Sequence, residues 1–275
     1  PGTVGDYVLT GEWSKKALIE AQRVGETHVA ATTEPEQFRR IPRSDELHCS
    51  ERSAYVHTTS NNTIWGTEWH HEPDAAGRPI VCDMSSDFLS RPVDVARYGL
   101  IYAGAQKNAG PAGVTVVIVR DDMLRLDRAA QAKLPIMLNY RTYIENKSMY
   151  NTPPVFPIYI VHLVARWLRR FGGLAKMAEH NRAKAQLIYD AIDGVSGFYR
   201  GHAARDSRSL MNITFRLPTE ALEEQFAKEA KAAGMDGLKG HRSVGGIRAS
   251  VYNAFPIAGA QALAHFMTDF AARHG

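Results

Sequence analysis

Short apolar runs alternate with amphipathic stretches along the first two-thirds of the chain. The run at 6–9 predicts a strand that leads into a helix from about residue 13 to residue 24, where apolar residues recur at helical spacing. Further strand-like runs follow at 28–31, 54–57 and 79–84. Because strands alternate with helices, the pattern predicts an α/β fold.

The run at 114–119 is the most uniform of these stretches. It reads Val-Thr-Val-Val-Ile-Val and consists of β-branched residues. This composition is typical of a strand in a parallel sheet that is covered by helices on both faces. We therefore expect the strand to be buried on both faces.

The pattern changes in the last third of the chain. Helices are expected at 158–171 and 176–192, and Gly172 stands where the first of them should end. The stretch 210–217 alternates between apolar and polar positions, which is typical of a strand with one buried face.

Helical signals follow this alternating stretch. Thr219 is the expected N-cap of a helix that ends near Gly234. A last amphipathic helix is indicated by apolar residues at helical spacing, namely Leu263, Phe266, Met267 and Phe270. One alternating strand among helices predicts a smaller C-terminal α+β domain at 178–275, after a large domain at 1–177.

The composition is that of an ordinary globular protein. Of 275 residues, 44% are hydrophobic and 23% charged, which excludes a disordered chain and a coiled coil. The net charge of +4 is scattered along the chain, so no nucleic-acid partner is expected. No apolar run approaches the roughly 18 residues of a membrane span, so no membrane partner is expected. Cys49 and Cys82 are interpreted as buried free thiols, which favours a reducing cytoplasm.

Candidate chemistry is concentrated in the glycine-rich stretch 101–113, just before the β-branched run. It holds one long amine, Lys107, among small residues that allow a ligand to approach closely. An amine in a crowded, partly desolvated pocket has a lowered pKa, which suits a lysine that bonds covalently to a carbonyl carbon. The alternative is a solvated lysine on a glycine-rich turn.

A carboxylate lies upstream of this lysine. The apolar strand expected at 79–83 ends in Asp83, and ligands of α/β sheets bind at the carboxyl ends of strands. Asp83 could keep a pyridine nitrogen protonated there. The alternative is a helix N-cap or a turn aspartate.

Five motifs in the same order resemble the phosphoserine aminotransferase family, in class V of the fold-type I pyridoxal-phosphate enzymes. They begin with Thr10-Gly-Glu-Trp-Ser-Lys-Lys-Ala and Asn61-Asn-Thr-Ile. They continue with the stretch 83–115, with Tyr150-Asn-Thr-Pro-Pro, and with Gly240-His-Arg-Ser-Val-Gly-Gly-Ile-Arg. The resemblance implies a mainly parallel central sheet flanked by helices, a smaller C-terminal domain, and pyridoxal 5'-phosphate as cofactor.

The resemblance also implies roles for residues around the cofactor. Lys107 would bond to the cofactor and then transfer protons, and Asp83 would pair with the pyridine nitrogen. Trp13 would stack on the ring, where a core tryptophan is the alternative. Thr63 would lie beside the ring substituents, and Gln106 would bind the cofactor phosphate.

Further positions imply a shared site. Asn151 and Thr152 match a pair that reaches the cofactor phosphate of the neighbouring subunit, so an obligate homodimer is expected. His241 and Arg242 would lie near the substrate phosphate, and Arg248 would bind the carboxylate, since a guanidinium matches both anions with two parallel hydrogen bonds.

The expected reaction is transamination. Glutamate would donate its amino group, and 3-phosphohydroxypyruvate would accept it to give phosphoserine and 2-oxoglutarate. Some relatives also act on a phosphorylated intermediate of pyridoxine synthesis. The alternatives are another class V enzyme, such as a desulfurase or an alanine–glyoxylate transaminase, and a non-catalytic shortened relative.

One departure from the family concerns the start of the chain. Members begin with about 90 further residues, which carry a glycine-rich turn for the cofactor phosphate and an arginine for the substrate. We therefore expect the 275-residue chain by itself to bind the cofactor poorly.

Overall fold

The computed structural model describes residues 3–124, 134–195 and 197–275. The strands of the first part of the chain are β1 (Val4–Leu9), β2 (Thr27–Thr32), β3 (Ser53–Thr59), β4 (Asn61–Asn62), β5 (Thr67–Glu68), β6 (Ile80–Asp83), β7 (Tyr98–Gly104) and β8 (Thr115–Val119). Six of them form one sheet in the order β2-β1-β3-β6-β7-β8, and β4 pairs with β5.

The central sheet is mainly parallel, as the sequence predicts. Strands β2, β1, β3, β6 and β7 run parallel to their neighbours, and β8 alone is antiparallel. The register places Thr59, Asp83 and Tyr102 side by side at the carboxyl end of the sheet. This is the edge at which ligands bind in such folds.

One face of this sheet carries the first apolar core. Its buried side chains include Val8, Ala30, Val56, Ile80, Cys82, Ile101 and Ala103. On the other face, helix α1 (Glu12–Gln22) packs through Leu18 against Tyr7, Leu9 and Phe38. The first turn of α1 lies next to the carboxyl end of β1, which brings the start of the helix to the ligand-binding edge.

The expectation that 114–119 is buried on both faces is wrong. Strand β8 lies at the edge of the sheet, with β7 as its neighbour, and Val117 and Ile118 are 38% and 36% exposed. β-Branched residues favour the extended backbone whether a strand has one neighbour or two. The composition of the run therefore indicates a strand but not its place in the sheet.

The second part of the chain builds a smaller antiparallel sheet with helices around it. Its strands, in the order β11-β10-β9, are β9 (Arg200–Gly201), β10 (Asn212–Arg216) and β11 (Ile247–Ser250). The helices are α2 (Tyr140–Glu145), α3 (Val155–Phe171), α4 (Gly173–Gly194), α5 (Glu220–Ala232) and α6 (Ile257–His274).

Several local predictions for this part are confirmed. Gly172 ends α3 with a φ of 115°, a left-handed conformation that suits glycine. Thr219 is the N-cap of α5, where its side chain accepts a hydrogen bond from the Leu222 amide at 3.2 Å. Helix α4 continues through residues 177 and 178, so the division into domains 1–177 and 178–275 stays a prediction.

The alternating strand buries its apolar face as expected. Met211, Ile213 and Phe215 of the β10 region are buried, together with residues of α4, α5 and α6 such as Ile188, Phe226, Leu263, Met267 and Phe270. Asn212, on the opposite face, is also buried. Its Oδ1 accepts a hydrogen bond from Asn61 Nδ2 in the first part of the chain, and its Nδ2 donates to Ser250 and Tyr252.

Both cysteines are free thiols, but their burial differs. Cys82 is buried, and burial raises the pKa of its thiol to about 12. Cys49 is only partly buried, so the expectation of two buried thiols is wrong for this residue. In the part of the chain that the structure describes, no helix has both the length and the apolar character to cross a membrane.

Candidate active site

A cavity of about 110 Å³ lies at the carboxyl end of the central sheet. Five residues that the sequence assigns to a cofactor site line it together, namely Trp13, Thr63, Asp83, Gln106 and Lys107. Thr59, Asn61, Ser85 and Ser86 complete the lining. The lining therefore comes from α1, β3, β4, β6 and three loops.

Lys107 is the central group of the cavity. Its Nζ donates a hydrogen bond to Thr63 Oγ1 at 2.9 Å and lies 5.9 Å from the centre of the Trp13 ring. Burial lowers the pKa of the Lys107 amine, Asp83 raises this pKa, and Arg248 lowers it. A lowered pKa increases the unprotonated, nucleophilic fraction of the amine, so the solvated-lysine alternative does not describe this residue.

Asp83 is the last residue of β6, and hydrogen bonds with neighbouring backbone amides hold it in place. Its Oδ1 accepts a hydrogen bond from the Ser85 amide at 2.9 Å, and its carbonyl oxygen accepts one from the Ser60 amide at 2.9 Å. The side chain lines the same cavity as Lys107. It therefore presents a carboxylate to anything that the lysine binds.

Trp13 forms an outer wall of the cavity rather than part of the core. Its side chain is 42% exposed, and the ammonium group of Lys16 lies 4.7 Å from its ring centre. Ser14 fixes the start of α1, because its Oγ accepts hydrogen bonds from the amides of Thr10 and Gly11. The indole is thus held at the cavity mouth and can stack on a planar ligand.

Thr63 lies in the tight turn between β4 and β5. A Cβ at Gly66, where φ is 77°, would lie 2.5 Å from Thr214 Oγ1, so only glycine fits this turn. Asn61 Nδ2 donates to Ser86 Oγ and to Asn212 Oδ1, at 2.8 Å each. The turn is therefore anchored to both parts of the chain.

The residues expected to bind substrate are more dispersed. Arg248 Nη1 lies 3.4 Å from the Thr63 carbonyl oxygen, and Arg248 and His241 line an adjoining cavity of about 470 Å³. Arg242 is exposed and lines a third cavity together with Glu220 and Glu224. Within this chain Arg248 is therefore near Lys107, whereas Arg242 is not.

Asn151 and Thr152 lie outside the Lys107 cavity. Both are exposed in the segment just before α3. This placement leaves them accessible to another molecule, and their role in a neighbouring subunit stays a prediction.

A buried acidic pair behind the cavity was not expected from the sequence. Glu68 and Asp87 are buried, and Arg91 lies 4.0 Å from Glu68 and 3.9 Å from Asp87. Burial raises the pKa of both carboxyl groups, and the charge of Glu68 raises that of Asp87 further. Ser60 Oγ lies within hydrogen-bond distance of both Asp87 Oδ1 and the Asp83 carbonyl oxygen, so the pair adjoins the site.

A second unexpected group supports the loop that carries Lys107. The Asn253 amide donates to Asn108 Oδ1 at 3.0 Å, directly beside the lysine. The buried Lys184 amine donates to carbonyl oxygens of the adjacent segment, that of Tyr252 at 2.7 Å, and burial lowers the Lys184 pKa to about 8. No local pattern signals these contacts, because their residues lie far apart in the chain.

The profile of the aminotransferase class-V family matches residues 5–263, so the chain belongs to that family. Within it, the phosphoserine aminotransferase of Herpetosiphon aurantiacus is 58% identical over 272 residues, which are 99% of this chain and 75% of that protein. The structure of phosphoserine aminotransferase from Bacillus circulans subsp. alkalophilus superposes with a TM-score of 0.96 at 51% identity. It covers 100% of this chain and 75% of that one.

A third relative is a pyridoxal-phosphate-bound phosphoserine aminotransferase from Trichomonas vaginalis. Its structure has a TM-score of 0.90 at 39% identity, over 97% of this chain and 75% of that one. These likenesses confirm the expected fold-type I architecture and the resemblance stated from the five motifs. The chain spans about three-quarters of the length of these relatives.

Proposed function

We propose that the protein catalyses pyridoxal-phosphate-dependent transamination between glutamate and 3-phosphohydroxypyruvate, giving phosphoserine and 2-oxoglutarate. One observation carries this proposal. Lys107, an amine with a lowered pKa, shares a cavity with the strand-end carboxylate of Asp83 and the indole of Trp13. The names of relatives that are more than 50% identical support the same reaction.

The residues of the cavity fit pyridoxal phosphate. The Trp13 ring offers a flat face, Asp83 a carboxylate for the ring nitrogen, and Thr63 a hydroxyl that already bonds Lys107. Gln106, exposed at the rim, offers an amide for the phosphate. When bound, the cofactor supplies an electron-withdrawing ring next to the amino group of the substrate.

Each residue of the site has a separate role in the proposed reaction. Lys107 holds the cofactor and afterwards moves a proton at the substrate carbon, a step helped by the partial exclusion of water around its Nζ. Asp83 holds a proton on the ring nitrogen, which keeps the ring electron-withdrawing. Arg248 is assigned to the substrate carboxylate, and His241, in the same adjoining cavity, to the phosphate. Arg242 lines another cavity of this chain, so its part in binding the phosphate stays a prediction.

The desulfurase alternative has no support at this site. Desulfurase chemistry requires a reactive thiol, but neither Cys49 nor Cys82 lines the cavity of Lys107. Action on a pyridoxine precursor and a cytoplasmic location stay predictions.

We also propose that the protein is a homodimer with shared sites. Exposed large apolar side chains are concentrated between residues 134 and 163, among them Ile136, Leu138, Met149, Val155, Phe156 and Tyr159. Apolar surface of this extent is typical of an interface. Asn151 and Thr152 lie within this segment, which supports their assignment to the site of a neighbouring subunit.

Single-turnover measurements on the cofactor-loaded protein test the reaction. Phosphoserine and glutamate should each convert the bound cofactor to its amino form. Arg248→Lys should weaken both substrates, because both carry a carboxylate and lysine lacks the guanidinium fork. Arg242→Ala should weaken mainly phosphoserine, and Arg182→Ala, on an exposed face of α4, should change neither. Equal damage to both substrates from Arg242→Ala would refute its assignment to the phosphate.

A further inference from the structure

Asn253 is a buried polar residue to which the proposed reaction gives no role. It follows strand β11, which carries Arg248, and precedes helix α6. The residue is 2% exposed. Because a buried amide without partners is costly, its hydrogen bonds show which parts of the fold it has to join.

The hydrogen bonds of Asn253 reach two loops of the candidate active site. Its backbone amide donates to Asn108 Oδ1 at 3.0 Å, and Asn108 is the residue after Lys107. Its side-chain Nδ2 donates to the Leu89 carbonyl oxygen at 2.9 Å, in the turn that follows Asp83. One residue therefore joins both loops.

The turn at Leu89 has a conformation that needs support. The φ of Leu89 is 62°, in the left-handed region that non-glycine residues seldom adopt. Asn181 of helix α4 donates to the Ser90 carbonyl oxygen at 3.1 Å and to Asn253 Oδ1 at 2.8 Å. Strain of this kind persists where the surroundings enforce it and is concentrated at functional sites. The two asparagines therefore hold a turn that the chain by itself does not favour.

Lys184 of helix α4 fixes the segment that contains Asn253. The lysine is fully buried, and its Nζ donates to the carbonyl oxygens of Val251 at 3.0 Å and of Tyr252 at 2.7 Å. The same Nζ lies 3.5 Å from the Asn253 carbonyl oxygen. A buried cation is tolerated where hydrogen bonds satisfy it, and here all of these bonds go to one short segment. The end of strand β11 is therefore attached firmly to α4.

Three groups of the proposed reaction belong to the segments that meet at this residue. We propose that Asn253 is a positioning residue, which joins these segments and so fixes the distance between Lys107 and Arg248. A substrate whose carboxylate lies on Arg248 then presents its reacting carbon to Lys107, and a misplacement of about 1 Å can cost a large part of the rate. The effect on the reaction rests on the proposed function, but the attachment of the Lys107 loop does not.

The first test measures the pKa of the Lys107 amine in the cofactor-free chain. Burial lowers this pKa, the facing charges of Asp83 and Asp87 raise it, and that of Arg248 lowers it. Asn253→Leu has the same number of side-chain atoms but cannot make the hydrogen bonds to Leu89 and Asn181. A loosened loop exposes the amine, so its pKa should rise toward the ordinary value of an exposed lysine. The pH dependence of acylation at Lys107 measures the change.

The control is Tyr199→Phe, which also loses one buried hydrogen bond to a carbonyl oxygen. The Tyr199 hydroxyl donates to the Met267 carbonyl oxygen at 2.7 Å in the C-terminal core, and the residue lines neither the Lys107 cavity nor the adjoining one. Urea denaturation should show a loss of stability in both variants, and the Lys107 pKa should rise in Asn253→Leu alone. An unchanged pKa in Asn253→Leu, or equal rises in both variants, would overturn the proposal.

A kinetic arm tests the effect on the reaction in the cofactor-loaded protein. Single-turnover rates with phosphoserine and with glutamate should fall by the same factor in Asn253→Leu, about tenfold or more, because both substrates place the same carboxylate and amino group at the site. A fall for one substrate alone, or unchanged rates, would overturn the fixed distance between Lys107 and Arg248.

A milder variant keeps the proposal testable if Asn253→Leu does not fold. Asn253→Ser is smaller and retains a hydroxyl for one partner, and it should change the Lys107 pKa and both rates in the same directions. If the wild-type protein shows no transamination, the proposed function fails, and the acylation measurement still decides whether Asn253 holds the Lys107 loop.

Discussion

Burial and charges of both signs set the pKa of Lys107, and Asp87 raises this pKa together with Asp83. Burial and Arg248 lower the pKa of its amine, and Asp83 raises it. Asp83→Asn should therefore lower the Lys107 pKa further, and Arg248→Gln should raise it. The pH dependence of acylation of this lysine, followed by mass spectrometry of its peptide, measures both shifts. Exposed Lys228 in the same digest is the control, and shifts of the same sign in the two variants would contradict the assignment.

Lys107, which is partly buried, is not the only lysine shielded from water, so chemical labelling is a strict test. Borohydride reduction of the cofactor-loaded protein should fix the cofactor on Lys107. Lys184 is also buried, but carbonyl oxygens occupy its hydrogen-bond donors. Peptide mapping identifies the labelled residue, and a label on Lys184 or any other lysine would exclude Lys107 from the role.

The variant Asp83→Asn is expected to keep cofactor binding and to lose most of the catalytic rate. The amide keeps an oxygen that can accept the Ser85 hydrogen bond, so much of the cofactor affinity should remain. Turnover should fall by several powers of ten, because an amide no longer keeps the ring nitrogen protonated. Each tenfold loss in rate corresponds to about 1.4 kcal/mol of lost transition-state stabilisation. Cofactor titration and steady-state rates are measured together. Near-normal turnover would show that this carboxylate has another role.

At the scale of elements, the sequence predicted what local rules control. The boundaries of α3 and α5 followed from Gly172 and Thr219, since each residue acts on its own helix end. The run at 114–119 was correctly expected to be a strand, but its edge position depends on which strands pair, and no residue in the run encodes that.

The candidate site also contains some residues that a local rule brings together and others that only the tertiary structure brings together. Lys107 and Asp83 follow strands of one sheet, and the rule that ligands bind at strand ends brings them together. Arg39 and Arg200 lie far apart in the chain but line the same cavity of about 470 Å³, where the His202 ring bonds the Gln37 carbonyl oxygen. Such a meeting requires the tertiary structure, so sequence reasoning missed it.

The buried acidic pair, Glu68 in β5 and Asp87 in the turn after β6, makes stability depend on pH. Burial raises the folded-state pKa of Glu68 and Asp87 above that of the unfolded chain. Between the ordinary carboxyl pKa and the raised one, the folded state binds more protons than the unfolded state, so the free energy of unfolding falls as pH rises. Glu68→Gln should reduce this fall between about pH 5 and pH 7.5.

Urea denaturation at several pH values measures this dependence. The exposed Glu51→Gln is the matched control and should keep the wild-type slope. An unchanged slope in Glu68→Gln would show that this carboxyl group is ionised in the folded protein throughout the range.

At the scale of the whole molecule, the exposed apolar segment predicts association. Phe156 at the start of α3 is 70% exposed, and a glutamate there would place a charge within the proposed interface. Phe156→Glu should therefore shift the mass found by sedimentation from a dimer toward that of the 30.5 kDa chain. Val24→Glu changes a side chain that is 89% exposed at the end of α1 and should leave the dimer intact. A wild-type protein that sediments as a monomer would contradict the proposal.

The buried hydrogen bonds of Asn61 with Asn212, and of Asn108 with Asn253, join the first part of the chain to its C-terminal part. Separating the two parts would exchange these hydrogen bonds for bonds to water, at a net cost of about 0.5–1.5 kcal/mol each. Heating should therefore melt both parts in one cooperative transition rather than in succession. For the same reason, the C-terminal part could be exchanged with that of a relative only if the asparagines on both sides were kept as matching pairs.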